Sequence, residues 1–135
     1  MLKLIIGVKG TGKTKALINL VNEAVEKSSG DVVCIEKGVK LRFDVKYRAR
    51  LIDVKEYFVD DAQSLYGFVA GILASNHDVT DLFIDSSLKI CNDDFVAFDK
   101  FIEEIAEIAE KIGVNVVMTA SMAAEDASDT VKKYL

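Results

Sequence analysis

Apolar and polar positions along this chain fall into blocks whose period switches between that of a strand and that of a helix. Leu2, Leu4, Ile5 and Ile6 form a short apolar run ending at Gly7, which predicts a buried strand. From residue 13 to residue 27 the apolar positions Leu17, Leu20, Val21 and Ala24 recur at helical spacing, and Ser28-Ser29-Gly30 closes that helix. Val32-Val33-Cys34-Ile35 makes a second buried strand over residues 31–36. Leu41, Phe43, Val45 and Tyr47 then alternate with polar residues, as do Ile52 and Val54, which predicts a β-hairpin extension at about residues 38–59. Asp60 or Asp61 caps the next helix, whose stripe is Ala62, Leu65, Tyr66, Val69, Ile72 and Leu73. Asp81-Leu82-Phe83-Ile84-Asp85 reads as a buried strand closing on an acid. After Asn92-Asp93-Asp94 comes the clearest helix, with Phe98, Phe101, Ile102, Ile105, Ile108, Ala109 and Ile112 on one face and Gly113 as its stop. Residues 114–119 form the last strand, and residues 123–134 a short closing helix. Strand–helix alternation of this kind predicts an α/β three-layer sandwich with a mainly parallel sheet of about four core strands, the first strand central.

Composition bounds this picture without changing it. The 135 residues fit one domain, residues 1–135, and half of them are hydrophobic, enough for a real core. The net charge of −5 argues against broad, salt-driven binding to nucleic acid, which needs a basic footprint, so nucleic acid is not the expected partner. No apolar run approaches a membrane span, and residues 1–7 are too short for the apolar core of a signal peptide, so a cytoplasmic protein is expected. Cys34 and Cys91 form no CxxC pair and read as small core thiols. His77, the one histidine, cannot build a metal site alone.

The sharpest chemical signal lies between the first strand and the first helix. Residues 7–14 read Gly7-Val8-Lys9-Gly10-Thr11-Gly12-Lys13-Thr14, a GxxxxGK[ST] pattern without a mismatch. Gly7 lets the chain leave the strand in a tight turn. Gly10 and Gly12 adopt conformations closed to residues with a Cβ, so that backbone N–H groups turn inward. Those groups and the N-terminus of the following helix can cradle the β- and γ-phosphates of a nucleotide. Lys13 supplies a mobile positive charge to the terminal phosphates, and Thr14 a hydroxyl to Mg²⁺. A glycine-rich turn before a helix is the simpler reading, but the pattern arises by chance in roughly one chain of this length in a few hundred. A buried strand before it and an amphipathic helix after it are the contexts that support the motif.

On these residues the chain resembles a P-loop NTPase. The resemblance implies ATP and Mg²⁺ as ligands, residues 7–14 as the nucleotide loop, and Lys13 as a catalytic residue. It also implies a second acidic motif, four apolar residues followed by Asp, on a neighbouring strand. Leu82-Phe83-Ile84-Asp85 fits with three apolar positions, since Asp81 occupies the first. Asp85 is therefore the second catalytic candidate and, with Thr14, a magnesium ligand. Capping of the segment after the strand is the alternative for Asp85. Many efficient ATPases of this superfamily are similar to one another in a Glu directly after that Asp, whereas here Ser86 and Ser87 follow. Neither serine is a competent base alone, so slow or partner-dependent hydrolysis is expected. Glu36, ending the second strand, could reach the same edge, although its spacing does not match the motif. Thr119 and Ser121, at the end of the last strand, are candidate γ-phosphate sensors by the same resemblance, or simply polar residues that end a strand.

The resemblance covers the loop well, the acidic strand fairly, and the rest as architecture. No helical lid of the AAA+ kind, no acidic and histidine boxes of the secretion ATPases and no guanine-specific Asn-Lys-x-Asp sequence are found. Lys46-Tyr47-Arg48-Ala49-Arg50 is the densest positive stretch. It reads as a solvated hairpin tip, as a source of an arginine for a neighbour's nucleotide, or as a contact to a phosphorylated substrate or nucleic acid with Tyr47 stacking. Three functions follow from these residues. The first is an ATP-binding protein with weak ATPase activity, acting as a homo-oligomer or with a protein partner that supplies a catalytic residue. The second is a small-molecule phosphotransferase with residues 38–59 as its lid. The third is a non-catalytic, nucleotide-responsive interaction module.

Overall fold

The computed structural model describes residues 1–135. Its sheet has five strands: β1 (Leu2–Gly7), β2 (Asp31–Glu36), β3 (Arg50–Asp53), β4 (Val79–Ile84) and β5 (Asn115–Ser121). They lie in the order β1-β5-β4-β2-β3, and every pair is parallel. Helices α1 (Lys13–Lys27), α2 (Ala62–Ser75), α3 (Ser87–Ile90), α4 (Phe95–Ile112) and α5 (Asp129–Lys132) make the crossovers and the C-terminal turn.

Because the sheet is covered on both faces, its central strands are apolar almost throughout. In β2, Val33 and Ile35 face a core of 28 buried residues built with α2 and α4, while Val32 and Cys34 face a second core of 10 against α1. The difference in size reflects the coverage: two long helices on one face, one helix and the segment after β2 on the other. Three layers result, as the alternation of elements predicts.

Local sequence explains where the helices begin and end. Asp61 caps α2, its side chain accepting the Ser64 N–H at 2.8 Å while Ser64 Oγ accepts the Asp61 N–H at 3.2 Å. Asp94 caps α4 through the Ala97 N–H at 3.0 Å. Gly113, at φ 83°, ends α4 in the left-handed conformation that glycine adopts without a Cβ penalty.

Three expectations need correction. Residues 38–59 contain no hairpin. Up to β3 the buried positions are Leu41, Val45 and Ala49, four apart, while Phe43 and Tyr47 are 85% and 94% exposed. A period of four belongs to a chain of tight turns, and these turns lie over α1. The segment then returns as β3, parallel to β2, and continues into a 3₁₀ turn at Val54–Tyr57. The first strand is at the border of the sheet and pairs with β5 alone, its outer side meeting the C-terminal tail where the Leu4 N–H donates to the Tyr134 carbonyl at 2.8 Å. The closing helix is two short turns, Ala124–Asp126 and Asp129–Lys132, separated by the buried Ala127.

Candidate functional site

All five strands point their C-terminal ends to the same edge, where segments leaving neighbouring strands can converge. A cleft of 440 Å³ lies there, and no hydrophobic side chain lines it. The segment after β1 contributes Lys9, Gly10, Gly12, Lys13, Thr14 and Lys15. The end of β2 and the turn beyond it bring Glu36, Lys37 and Lys40, and the segment after β4 brings Asp85, Ser86, Lys89 and Asp93. Thr119 and Ser121 come from β5.

The glycine-rich loop has the backbone its sequence predicts. Gly10 and Gly12 sit at φ 87° and 84°, with no atom within 4 Å of where a Cβ would be. Conformation rather than space therefore demands glycine at both. At Gly7 the demand is space, since a Cβ would lie 2.5 Å from Thr11 Oγ1. That hydroxyl donates to the Val8 carbonyl at 2.7 Å, and Lys13 Nζ donates to the same carbonyl at 3.1 Å. Lys13 is thus folded back on its own loop. Gly7, Val8 and Thr11 shape the loop without lining the cleft.

Thr14 and Asp85, 71 residues apart in sequence, meet across the cleft. The Thr14 hydroxyl lies 3.2 Å from both carboxylate oxygens of Asp85. Asp85 is buried, and the Thr119 hydroxyl donates to its Oδ1 at 2.6 Å. Thr119 Oγ1 in turn accepts the Ser86 N–H at 2.8 Å, and Ser87 Oγ donates to the Thr119 carbonyl at 2.8 Å. Beyond the last ladder pair of β4 and β5, the Thr119 hydroxyl holds Asp85 and Ser86, and the Ser87 hydroxyl adds a second link. Ser86 is held at φ 55°, a left-handed conformation uncommon for serine, and opens the short helix α3. Ser121 is exposed at the cleft's rim.

Glu36 carries more weight in the structure than its spacing suggests. It is buried beside β4, where the Asp85 N–H donates to the Ile35 carbonyl at 2.9 Å. Its two oxygens accept the Lys40 and Leu41 N–H groups at 3.0 and 3.1 Å. Burial raises its pKa above the ordinary value of 4.5; those two N–H groups pull it down, and the nearby Asp85 and Asp53 carboxylates push it up. Lys37, Lys40 and Lys89 are further cleft residues that the sequence does not single out. The only signal for them is position, each following a buried strand on the ligand edge.

The oxygen donors present suit a hard cation that takes most of its ligands from water and phosphate. Thr14 and Asp85 supply a hydroxyl and one carboxylate, and no group of three or more His, Cys, Asp or Glu side chains forms a metal cage. No helix is long and apolar enough to cross a membrane.

No protein-family model matches the chain, and no curated protein matches its sequence. Its fold superposes on the crystal structure of a KaiC-like protein from the hyperthermophilic archaeon Pyrococcus horikoshii OT3, with a TM-score of 0.69 at 15% identity. The match covers 98% of this chain and 66% of that one, so this chain spans just under two thirds of that protein's length. At this identity the likeness establishes the fold: a parallel α/β sheet flanked by helices, as in the KaiC-like structure.

Proposed function

We propose that this chain binds a nucleoside triphosphate with Mg²⁺, ATP being the expected nucleotide, and hydrolyses it slowly unless a partner completes the site. The observation that carries the reading is the meeting of Thr14 and Asp85 at 3.2 Å beside the glycine-rich loop. In this reading the N–H groups of residues 9–14 and the N-terminus of α1 hold the phosphates. Lys13 leaves the Val8 carbonyl and pairs with the terminal phosphates, while Thr14 and Asp85 hold Mg²⁺. The ion neutralises charge on the β- and γ-phosphates when bound. Thr119 keeps Asp85 oriented, and Ser121 stands at the rim where a γ-phosphate sensor would act.

Slow hydrolysis follows from the groups around Asp85. The residue after Asp85 is Ser86 rather than an acid, and each oxygen of Glu36 already accepts one backbone N–H. Those two bonds draw on the lone pairs of Glu36 and make it a weaker base toward water than a free carboxylate. The absence of apolar lining supports recognition of the phosphate chain over the base. A cytoplasmic setting agrees with ATP as ligand and with two buried, unpaired thiols. A phosphotransferase reading draws its support from Lys37, Lys40 and Lys89, which could hold an anionic acceptor.

Calorimetric titration with ATP, with and without Mg²⁺, tests the proposal on wild type and Lys13→Ala. Wild type should bind with Mg²⁺, and Lys13→Ala should fold but bind at least about tenfold more weakly, since a lost charge-assisted contact costs roughly 1.5–3 kcal/mol. Equal affinity of the two proteins for ATP would refute it. ADP formation that requires an added anionic acceptor would favour the phosphotransferase.

A further inference from the structure

We infer that residues 37–50 form a binding strip for single-stranded nucleic acid that starts at the edge of the cleft, where Lys37 and Lys40 lie, and runs away from the glycine-rich loop. The chain carries a net charge of −5, but its positive charge is not evenly spread. Residues 37–50 hold six of the 17 lysines and arginines and one of the 22 acids, so that the remainder of the surface is strongly acidic. The charge that disfavours nucleic acid over the whole surface leaves this strip, beside the lysine-lined cleft, as a place to receive it.

The turns that replace the expected hairpin decide what the strip presents. With Leu41, Val45 and Ala49 buried against α1, the residues between them face out. Arg42-Phe43 and Lys46-Tyr47 therefore form two basic–aromatic pairs four residues apart. Both rings are almost wholly in solvent, at 85% and 94% exposure, and the Arg42 guanidinium lies 4.8 Å from the Phe43 ring centre. Lys37, Lys40, Arg42, Arg48 and Arg50 make no ion pair; of the strip's cations only Lys46 does, with Glu26.

Exposed aromatic rings set among unpaired cations are what an extended strand of nucleotides needs, since bases stack on the rings and phosphates follow the cations. The backbone of the strip is fixed in advance. Asn22 of α1 donates to the Asp44 carbonyl at 2.9 Å and accepts the Lys46 N–H at 2.8 Å. At the β3 end, Arg48 and Arg50 border a cleft of 390 Å³ walled in part by Ile52 and Ile72, with Asn76 at its rim. Its apolar walls and amide suit a single unpaired base. A duplex is a poorer fit, because its bases are stacked inside and cannot reach Phe43 and Tyr47.

Fluorescence anisotropy with labelled oligothymidine and oligouridine of about 20 nucleotides, long enough to exceed a typical single-strand site, tests this without any nucleotide triphosphate. Wild type should bind, and log affinity should fall against log salt with a slope of about −3, as expected when four or five phosphates are contacted. Phe43→Ala and Tyr47→Ala should each weaken binding about five- to a hundredfold with the slope unchanged. Arg42→Ala combined with Arg48→Ala should flatten the slope by roughly one unit or more. Unchanged melting temperatures of these exposed-site variants show that folding is not the cause of any loss. No binding at low salt overturns the inference, as does binding unaffected by the aromatic changes. Self-association seen by sedimentation and lost in the double arginine variant, without oligonucleotide binding, would assign the strip to a second copy of the chain and equally overturn it.

Discussion

Replacing Thr119 with valine removes one hydroxyl and keeps the β-branched shape, so it isolates the junction between β4 and β5. Thr119 is 1% exposed, and no water replaces what it loses. Two bonds go: the one donated to Asp85 Oδ1 at 2.6 Å and the one accepted from the Ser86 N–H at 2.8 Å. A hydrogen bond to a charged group contributes about 1.5–3 kcal/mol, and an N–H left unpaired in a buried place costs about 1–3 kcal/mol. Asp85 keeps its contacts to Thr14, which at 3.2 Å are long, and Ser86 is only half-buried, so the sum falls toward the lower half of the range, about 3 kcal/mol. For a domain of 135 residues the unfolding entropy is about 280 cal/mol/K, so the melting temperature should drop by about 10 °C. Circular dichroism melts of wild type, Thr119→Val and Thr119→Ser measure it. Serine keeps the hydroxyl and should recover most of the loss. A drop below about 3 °C for valine, or serine falling as far as valine, would refute the reasoning, because either means the hydroxyl is not what holds the junction.

Three further outcomes are expected. Glu36 has a folded pKa above its ordinary value of 4.5, so its contribution to stability is complete below that value and is lost as pH rises through the folded one. Wild type should therefore gain stability relative to the non-titrating Glu36→Gln variant as pH falls toward 4.5, and a flat difference in paired melts would contradict the burial of this carboxylate. Cys34 and Cys91 are both buried, with burial pushing the Cys91 thiol up to about 12 and Cys34 further, so neither should react with iodoacetamide in the native protein and both should after denaturation. Gly30→Ala should destabilise by about 1–3 kcal/mol in urea, because the new Cβ would lie 2.2 Å from the backbone carbonyl oxygen of Asp78 and neither chain segment can simply rotate away.

The long elements were legible because each announces itself locally. α1 and α4 carry an apolar stripe at helical spacing between clear ends, and the strand beginning at Asp31 ends at Glu36 as its apolar run predicts. The 38–59 region misled because Leu41, Phe43, Val45 and Tyr47 satisfy a period of two on paper while only every second one of them is buried. Helix α3 has four residues, too few for any period to register. The border position of β1 is a matter of strand order, and an apolar run such as Leu2 to Ile6 reads alike at the border and in the centre. The site divides the same way. Gly7 to Thr14 is one continuous signature, and Asp85 ends an apolar run. Glu36, Lys37 and Lys40 reach the cleft only because β2 lies beside β4, a pairing between segments more than forty residues apart that no local pattern records.

The pairing of β1 also sets when the glycine-rich loop can take its shape. The strand that launches the loop is the first of the sheet to be made, yet its sole strand partner is the last, with Leu2 beside Val116 and Gly7 beside Ser121. The Met1 carbonyl takes the Val116 N–H at 2.8 Å, so the backbone before β1 is also held by β5. Contacts of such sequence separation form late, because the loop they close must first give up its freedom. Residues 7–14 therefore stay without a rigid base until β5 docks, long after the loop's own sequence has been made. A ligand bound by this loop would find nothing rigid to hold before β5 pairs with β1, and would act only on the finished sheet.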